Sequence, residues 1–265
     1  MMLNLEKLSK VFYKNTSNEN KALSNINLNV RNGDFISIIG SNGAGKSTLL
    51  NCIAGVHQIN SGNIILDEEA INEISEYKRA KYIGRVFQDP LLGTSPEMTI
   101  EENLSLAFNK SKNMSLQWGL NKKKKNYIKE KLKEIDLGLE KRLSTKVKLL
   151  SGGQRQALTL LMATMTEPKL LLLDEHTAAL DPNTAIKIKE LTEKLIEENN
   201  ITTLMVTHNM KDAIKMGNRL IMMNKGDIIL DIKGKRKKNL TVEKLLDLFR
   251  MKQGDKYAND RTLLS

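Results

Sequence analysis

The chain has 265 residues, of which 40% are hydrophobic and 28% charged, as is typical of a globular protein with one or two cores. No apolar stretch approaches the roughly 20 residues that span a bilayer, and the N-terminal segment MMLNLEKLSK has no signal-peptide core, so any membrane role is expected to come through a partner. The single cysteine, Cys52, excludes an internal disulfide and predicts a buried thiol.

The formal net charge is +11, and much of it lies in two runs, residues 122–125 and 233–238. Blocks of like charge usually form solvated loops, and we expect that structure for both runs. Two alternatives stay open, because a basic surface is also attracted to an anionic membrane face or to nucleic acid.

The N-terminal part of the chain contains short apolar and β-branched runs that end at turn residues, which is the pattern of β-strands. We predict strands at residues 3–11, 22–30, 35–40, 62–67 and 82–88. The strand "FISIIG" leads into the loop "SNGAGKS" and then into "TLLNCIAGV", so the order there is strand, glycine-rich loop and helix.

Helical spacing dominates from about residue 97 until residue 170. The predicted helices of this part lie at 97–108, 127–137 and 153–166. The next two apolar runs, "LLLLD" at 170–174 and "TTLMVTH" at 202–208, are nearly continuous, as expected for parallel strands that are covered on both faces. The remaining predictions are a helix at 182–198, a hairpin over 219–232, a helix at 241–249 and a polar tail from about residue 252.

These elements predict an α/β fold in which two α/β segments flank one helical insertion. We assign residues 1–92 and 168–235 to a divided α/β core and residues 93–167 to a helical subdomain. Residues 236–265 are assigned to a C-terminal helix and tail.

The loop Gly40–Ser47 fits the pattern G-x-x-x-x-G-K-[ST] and lies, as that pattern requires, between a strand and a helix. Its glycines allow successive backbone N–H groups to face an anion, and the following helix N-terminus adds a partial positive charge. Lys46 could reach the β- and γ-phosphates of a nucleotide, and the Ser47 hydroxyl could bind Mg²⁺. The alternative is an ordinary glycine-rich turn.

Two acids, Asp174 and Glu175, directly follow four leucines in "LLLLDEH". An unpaired carboxylate is costly to bury, so these side chains need a function or a partner at the end of the strand. Beside a phosphate loop, Asp174 could hold Mg²⁺ through its water shell, and Glu175 could polarise the attacking water as a general base. The alternative is an acid that caps a helix.

The segment "LLSGGQRQAL" at 149–158 matches the signature motif of ABC-type ATPases, and the other motifs follow in the order of that family. The chain therefore resembles the nucleotide-binding subunit of an ABC transporter over residues 3–235. This resemblance implies a P-loop NTPase (RecA-like) core, an N-terminal antiparallel β subdomain and an inserted α-helical signature subdomain. It also implies that ATP and Mg²⁺ are bound.

The resemblance assigns roles to individual residues of this sequence. It implies Glu175 as the catalytic base, Gln88 of "VFQDP" as the glutamine that senses Mg²⁺ and γ-phosphate, and His208 of "VTHNM" as the histidine that contacts the γ-phosphate. The implied Mg²⁺ ligands are Ser47, Gln88 and Asp174. The implied nucleotide contacts are Phe12 (or Tyr13) on adenine, Gly40, Ser41, Asn42, Gly43, Ala44, Gly45, Lys46, Ser47, Thr48, Ser151, Gly152, Gly153, Gln154 and Asp181.

The signature segment has a physical basis of its own. Ser151 is a good N-cap residue, and its hydroxyl together with the exposed N–H groups of the helix forms a possible second phosphate site. A helix that is merely capped is the alternative. In the family pattern this site faces the γ-phosphate of the other subunit, so the resemblance implies a head-to-tail homodimer with two ATP molecules at its interface.

The resemblance also implies partners. With no predicted membrane span, the chain is expected at the cytoplasmic face of the cell membrane, bound to separate permease subunits and acting indirectly with a substrate-binding protein. Residues 89–108 lie where the family receives its permeases. The stretches "GTSPEMTIEENLSLA" and "DEHTAALDP" resemble an importer branch that is associated with aromatic amino acids such as tryptophan.

His176 departs from the more common family pattern, which has proline after the catalytic glutamate, and its role is left open. The alternative function is a non-transport ABC ATPase that works in iron–sulfur assembly or on nucleic acid. A nucleic-acid role is disfavoured, because the sequence contains neither a long coiled coil nor a second ATPase unit.

Overall fold

The computed structural model describes residues 2–109 and 122–253. The described residues fall into two compact units, Met1–Ala80 with Asn200–Ser265 and Lys81–Asn199. No helix among the described residues has the length and apolar character needed to cross a membrane. The polar tail predicted from about residue 252 lies beyond the described residues from position 254 onward.

The strands and helices are numbered in chain order. They are β1 (Leu3–Phe12), β2 (Asn20–Val30), β3 (Phe35–Gly40), α1 (Lys46–Ala54), β4 (Ser61–Leu66), β5 (Glu69–Ala70), α2 (Glu76–Arg79), β6 (Ile83–Val86), α3 (Ile100–Asn109), α4 (Lys122–Glu134), α5 (Gly152–Thr164), β7 (Leu170–Asp174), α6 (Pro182–Glu198), β8 (Thr202–Val206), α7 (Met210–Lys215), β9 (Arg219–Asn224), β10 (Asp227–Lys233), α8 (Lys235–Lys238) and α9 (Val242–Gln253).

The first unit contains two sets of strands. One is an antiparallel sheet in the order β2-β1-β4-β5, and the other places β10, β9, β3 and β8 side by side. Strand β3 is parallel to both β8 and β9, whereas β9 and β10 form the predicted antiparallel hairpin. All six residues of β3 are buried, which explains why "FISIIG" shows no polar alternation.

The second unit contains the parallel pair β6–β7 and the helices α3 to α6. Helix α6 begins with Asp181 as its N-cap and a proline in its first turn, which is a favourable start for a helix. A Cβ on Gly153 would lie only 2.2 Å from the Thr184 Cγ2 atom, so α5 and α6 approach closely at this glycine. The predicted strand at 82–88 is shorter than expected, because β6 ends at Val86.

The expectation of loops is wrong for both charge runs, although residues 233–236 and Lys238 are exposed to solvent as expected. Residues 122–125 open helix α4, and residues 235–238 form helix α8. Lys237 is buried, and its ammonium donates hydrogen bonds to the carbonyl oxygens of Ile214, Met216 and Gly217 at 2.9, 2.7 and 2.8 Å. Carbonyl groups at the end of helix α7 therefore replace the water that a lysine normally needs.

The prediction of a buried thiol is confirmed, and its surroundings include a buried arginine. Burial raises the pKa of Cys52 to about 11, so the thiol stays protonated at neutral pH. The Arg79 guanidinium donates to the carbonyl oxygens of Cys52 and Ile53, both at 2.9 Å, in the last turn of α1. It also donates to the carbonyl oxygens of Ile74 and Asn72 at 2.8 and 3.0 Å, so Arg79 ties the end of α1 to the segment before α2.

We expect Arg79→Lys to lower the free energy of unfolding by about 3 kcal/mol, because one ammonium cannot serve four carbonyl groups and would leave buried acceptors unsatisfied. Urea denaturation measures the change. Lys78→Ala, on the exposed neighbouring position of α2, is the control and should change the free energy of unfolding by less than about 0.5 kcal/mol. Equal, small changes for both variants would contradict a capping role for Arg79.

Candidate nucleotide-binding site

The loop between β3 and α1 is held against two neighbouring strands at its glycines. Gly40 and Gly45 have φ angles of 154° and 97°. A Cβ on Gly40 would lie 2.2 Å from the carbonyl oxygen of Met223 in β9, and one on Gly45 would lie 2.4 Å from that of Ala22 in β2. Larger residues are therefore excluded, and the carbonyl oxygen of Ala44 also accepts a hydrogen bond from the N–H of Gly226 at 3.1 Å.

Lys46 is buried at the start of α1, and its ammonium donates to the carbonyl oxygens of Gly40 and Ser41 at 2.7 and 3.0 Å. The N-cap of α1 is Gly45, which has no side chain to accept from the first N–H groups of the helix. No acidic residue occupies the first turn either, so nothing there repels an anion. A glycine-lined loop, a buried ammonium and a helix N-terminus without a side-chain cap fit the phosphates of a nucleotide.

His208 lies at the edge of the same unit where the phosphate loop begins. Strand β8 is parallel to β3, with Val206 paired to Ile38, and the N–H of Thr207 donates to the carbonyl oxygen of Ile38 at 3.1 Å. Both strands therefore end at one edge, with Gly40 at the end of β3 and the half-buried His208 just after β8. The predicted association of the phosphate loop with His208 thus has a basis in the strand order.

The second unit brings together Gln88, Asp174 and Glu175 in the same way. Strands β6 and β7 are parallel, with Val86 paired to Leu173, so Asp174 ends β7 while Gln88 and Glu175 follow the carboxyl ends of the two adjacent strands. Asp174 and Glu175 are half-buried. Glu175 has a φ angle of 46°, a left-handed conformation that costs a residue with a side chain about 1 kcal/mol, and its carbonyl oxygen accepts from the N–H of Ala178.

The signature residues form a capping box at the start of α5. The Ser151 hydroxyl accepts from the N–H of Gln154, and the Gln154 side-chain oxygen accepts from the N–H of Ser151, both at 3.2 Å. Gln154 also donates to the carbonyl oxygen of Leu137 at 3.3 Å. Ser151 and Gly152 are exposed, whereas Gly153 is buried, so the exposed end of this helix is available to a second molecule.

Asp181 occupies the N-cap of α6, where its carboxylate accepts from the N–H of Thr184 at 3.0 Å. Hydrogen bonds from Thr184 hold the pKa of Asp181 below its usual value, so the side chain stays ionised at neutral pH. Because Gly153 packs directly against Thr184, the same cap also fixes how the signature helix lies against α6.

The two aromatic candidates for adenine stacking have different surroundings. Phe12 is half-buried, edge-on to the His57 ring with centroids 5.2 Å apart, and the Lys10 ammonium lies 4.9 Å from the Phe12 ring centre. Tyr13 is 71% exposed and has a φ angle of 52°.

Gln156 is a residue that the sequence analysis did not single out. Its side chain is buried, and its amide nitrogen donates to the carbonyl oxygen of Phe87 at 3.3 Å, which links α5 to the segment that carries Gln88. The side-chain oxygen has no hydrogen-bond partner among the described residues. The sequence could have indicated Gln156 through its position three residues after Gly153, on the same face of the signature helix.

The predicted Mg²⁺ ligands have the chemistry that this ion prefers. Ser47, Gln88 and Asp174 supply oxygen atoms, the donors that Mg²⁺ prefers. Within residues 2–109 and 122–253 there is no cluster of three or more His, Cys, Asp or Glu side chains that could hold a metal. The donor set therefore fits a metal ion that is held largely by phosphate oxygens and water rather than by a protein cage.

His176 is fully enclosed beside helix α6. Its Nε2 atom lies 3.0 Å from the Thr192 hydroxyl oxygen, and that hydroxyl donates to the carbonyl oxygen of Ile188 at 2.7 Å. Because the Thr192 proton is used, the His176 Nε2–H must be the donor, which fixes the neutral tautomer. Burial, with a smaller contribution from the positive charge of Lys189, lowers the pKa of His176 to about 4. The residue therefore anchors the segment that follows Glu175.

The chain is similar to known proteins over most of its length. The family model described as ABC transporter matches residues 23–178. The chain is 52% identical to the tyrosine transport ATP-binding protein of Clostridioides difficile (strain R20291), over 94% of this chain and 98% of that relative. It is 34% identical to the methionine import ATP-binding protein MetN of Clostridium tetani (strain Massachusetts / E88), over 92% of this chain and 76% of that relative.

Solved structures resemble the chain as well. The dimeric ATP-binding cassette MJ0796, in a post-hydrolysis state with ADP and Pi, is 32% identical with a TM-score of 0.75, covering 88% of this chain and 98% of that chain. The ADP conformation of the ATP-binding cassette MJ1267 is 28% identical with a TM-score of 0.76, covering 94% and 98%. These similarities confirm the predicted fold class.

We expect the stability of the protein to fall as the pH is lowered from about 6.5 to about 4, through the titration of His176. The folded pKa lies below that of the unfolded chain, so the unfolded state binds more protons in this window and is favoured by acid. At pH values below 4, the titration of His176 lowers the free energy of unfolding by about 3 kcal/mol relative to neutral pH. Urea denaturation at pH 7, 5 and 4 measures it.

His176→Gln is the matched variant, because glutamine can still donate to Thr192 but does not titrate. The difference in unfolding free energy between the native chain and this variant should change with pH in the stated window. Parallel pH profiles for the two proteins would show that His176 does not titrate on unfolding as described.

Proposed function

This chain belongs to the ABC transporter family, and we propose that it is the ATP-hydrolysing subunit that powers import of an aromatic amino acid. The observation that carries the nucleotide role is the phosphate loop, in which Gly40 and Gly45 pack against backbone carbonyls and Lys46 is buried at the helix start. That arrangement leaves the N-terminus of α1 to be capped by phosphate oxygens.

Each residue of the site has a distinct proposed role in hydrolysis. Lys46 exchanges its bonds to the Gly40 and Ser41 carbonyls for the β- and γ-phosphates. Ser47 and Asp174 would hold Mg²⁺, which would neutralise charge on the phosphates. Glu175 accepts a proton from the attacking water. His208 contacts the γ-phosphate from the end of β8, and Gln88 senses the same group from the end of β6.

We propose that two copies of the chain pair head to tail, with two ATP molecules between them. The exposed Ser151 and Gly152 of one copy then face the γ-phosphate held by the other. The similar cassette MJ0796 is dimeric, which supports association of this chain with itself. Binding of ATP closes such a dimer, and loss of the γ-phosphate on hydrolysis releases it.

The proposed substrate class follows from the relatives. The chain is more similar to the tyrosine transport protein than to the methionine import protein, which supports an aromatic amino acid. We place the chain at the cytoplasmic face of the cell membrane, bound to permease subunits that receive substrate from a binding protein. Non-transport roles in iron–sulfur assembly or on nucleic acid are less well supported, because the two relatives described above are named as transport or import ATP-binding proteins.

Exposed leucines mark the proposed permease contact within residues 89–108. Leu92 is 69% exposed on the helical turn Pro90–Gly93, and Leu106 is 54% exposed on α3. The turn is held in place, because a Cβ on Gly93 would lie 2.5 Å from the Thr159 Cγ2 atom of α5. Exposed apolar side chains on a fixed backbone are suited to a protein partner.

The first test concerns Glu175→Gln. We expect this variant to bind ATP normally, to accumulate as an ATP-bound dimer and to lose hydrolysis by at least about a hundredfold, because the base is gone while the phosphate site is intact. Phosphate release and gel filtration in ATP measure the two effects. Glu167→Gln is the control, since Glu167 is exposed in the same unit and also has a positive φ angle, of 50°. Near-normal turnover of Glu175→Gln would exclude Glu175 as the base.

The second test concerns permease docking. Leu92→Ser and Leu106→Ser should each weaken assembly with the co-expressed permease subunits by about tenfold or more, since each leucine loses the burial that the interface provides. Basal ATPase activity of the isolated chain should be unchanged. Ile186→Ser, at a 50% exposed position of α6, is the matched control. If assembly and transport are unaffected by the leucine substitutions, residues 89–108 are not the docking surface.

A further inference from the structure

A cavity of about 1140 Å³ lies in the first unit, at the edge opposite the phosphate loop. Asp34, which precedes β3, and Arg219, which begins β9, belong to its wall, whereas the phosphate loop follows the other end of β3. The charged residues that line the cavity are Arg31, Asp34, Lys215, Arg219, Asp231, Lys233, Lys237 and Lys238. Cations outnumber carboxylates among them, so the lining carries a net positive formal charge that attracts anions.

Both carboxylates are engaged within the wall. Arg219 is buried and donates to the two oxygens of Asp231 at 2.7 and 2.6 Å, in the bidentate geometry of a strong ion pair. Asp34 accepts from the N–H of Arg31 at 2.9 Å and lies 3.9 Å from the Arg219 guanidinium. These two acids therefore offset the charge of Arg219 and do little for the remaining cations.

Lys237 contributes charge to the wall in a fixed position. Its ammonium donates to three carbonyl oxygens at 2.7 to 2.9 Å, so all three of its protons are used. A carbonyl group satisfies hydrogen bonding without cancelling the charge. Lys237 therefore acts on a molecule in the cavity through its field rather than through a direct hydrogen bond.

The rim of the cavity contains four exposed cations, Arg31, Lys215, Lys233 and Lys238. In the part of the chain that the structure describes, none of these four has a carboxylate within ion-pair distance of 4.0 Å. Like charges that converge on one concave surface repel each other, and an anion bound between them removes that repulsion.

We propose that this cavity binds a small phosphate-bearing anion. Its volume suits a molecule of the size of a nucleotide or a phospholipid headgroup, and the flexible lysines at the rim can close on phosphate oxygens. The cavity is separate from the phosphate loop, because the two lie at opposite ends of β3, whose six residues span roughly 20 Å. Both sites can therefore be occupied in one chain.

The test uses pyrophosphate as the probe, measured by isothermal titration calorimetry at low ionic strength. Lys46→Ala serves as the background, so that the phosphate loop does not compete for the probe. We expect this chain to bind pyrophosphate, and we expect Lys233→Ala with Lys238→Ala on the same background to weaken binding by about tenfold or more. Arg219 and Lys237 are left intact, because they hold the wall together.

The matched control removes the same charge from exposed positions of the other unit, Lys141→Ala with Lys187→Ala. The control pair should leave pyrophosphate affinity within about twofold of the background. The titrations are repeated on the otherwise native chain with its phosphate loop filled by ADP, so that the result does not depend on the folding of Lys46→Ala.

A parallel measurement separates the two sources of a phosphate group. Sedimentation with vesicles of phosphatidylglycerol and phosphatidylcholine reports binding to a lipid headgroup. Loss of vesicle binding in the Lys233 and Lys238 variant, without pyrophosphate binding by any variant, assigns the cavity to a lipid headgroup. Loss of pyrophosphate binding alone assigns it to a soluble anion. Binding of neither probe, or an equal loss in the control pair, would overturn the proposal.

Discussion

The close approach of the phosphate loop to its neighbouring strands is the constraint on which the nucleotide site depends. At Gly40 and Gly45 there is no room for a side chain between the loop and the carbonyl oxygens of Met223 and Ala22. The loop therefore packs directly against β9 and β2. Because Gly45, at the end of the loop, is held in this way, the position at which α1 begins is fixed. Once that start is fixed, the position of the buried Lys46 follows, because it is the first residue of the helix.

Parallel strands determine where the remaining polar residues of the site can lie. In each unit an apolar strand is paired in parallel with another, so both strands end at one edge and the polar residues of the site lie at or just after that edge. This explains how Asp174 and Glu175 can follow four buried leucines, since the chain leaves the core at that point. The left-handed backbone at Glu175 marks the same abrupt change of direction.

Local patterns in the sequence were sufficient for the parts of the fold that rest on neighbouring residues. The phosphate loop, the leucine strand, the β9–β10 hairpin and the helix at 182–198 were all predicted, because glycine spacing and apolar periodicity are properties of short segments. The burial of Lys237 was not predicted, since its acceptors are backbone carbonyl groups that lie 20 to 23 residues earlier in the chain. Carbonyl acceptors leave no trace in residue type, so the rule for charge runs gave the wrong environment for Lys237, although the other residues of that run are exposed. Thr192, the partner of His176, was not predicted either, because it lies 16 residues later in the chain.

Lys46, Arg79 and Lys237 share one solution to the burial of a cation, in that each donates to backbone carbonyl oxygens. Arg79 and Lys237 do so at the C-terminal ends of α1 and α7, where the helix dipole is negative and carbonyl groups lack partners within the helix. This arrangement satisfies the hydrogen bonds of a buried cation where water is excluded. In the cavity opposite the phosphate loop, the carbonyl groups that hold Lys237 fix a buried cation beside the exposed lysines of the rim, so backbone acceptors help to position positive charge around that cavity.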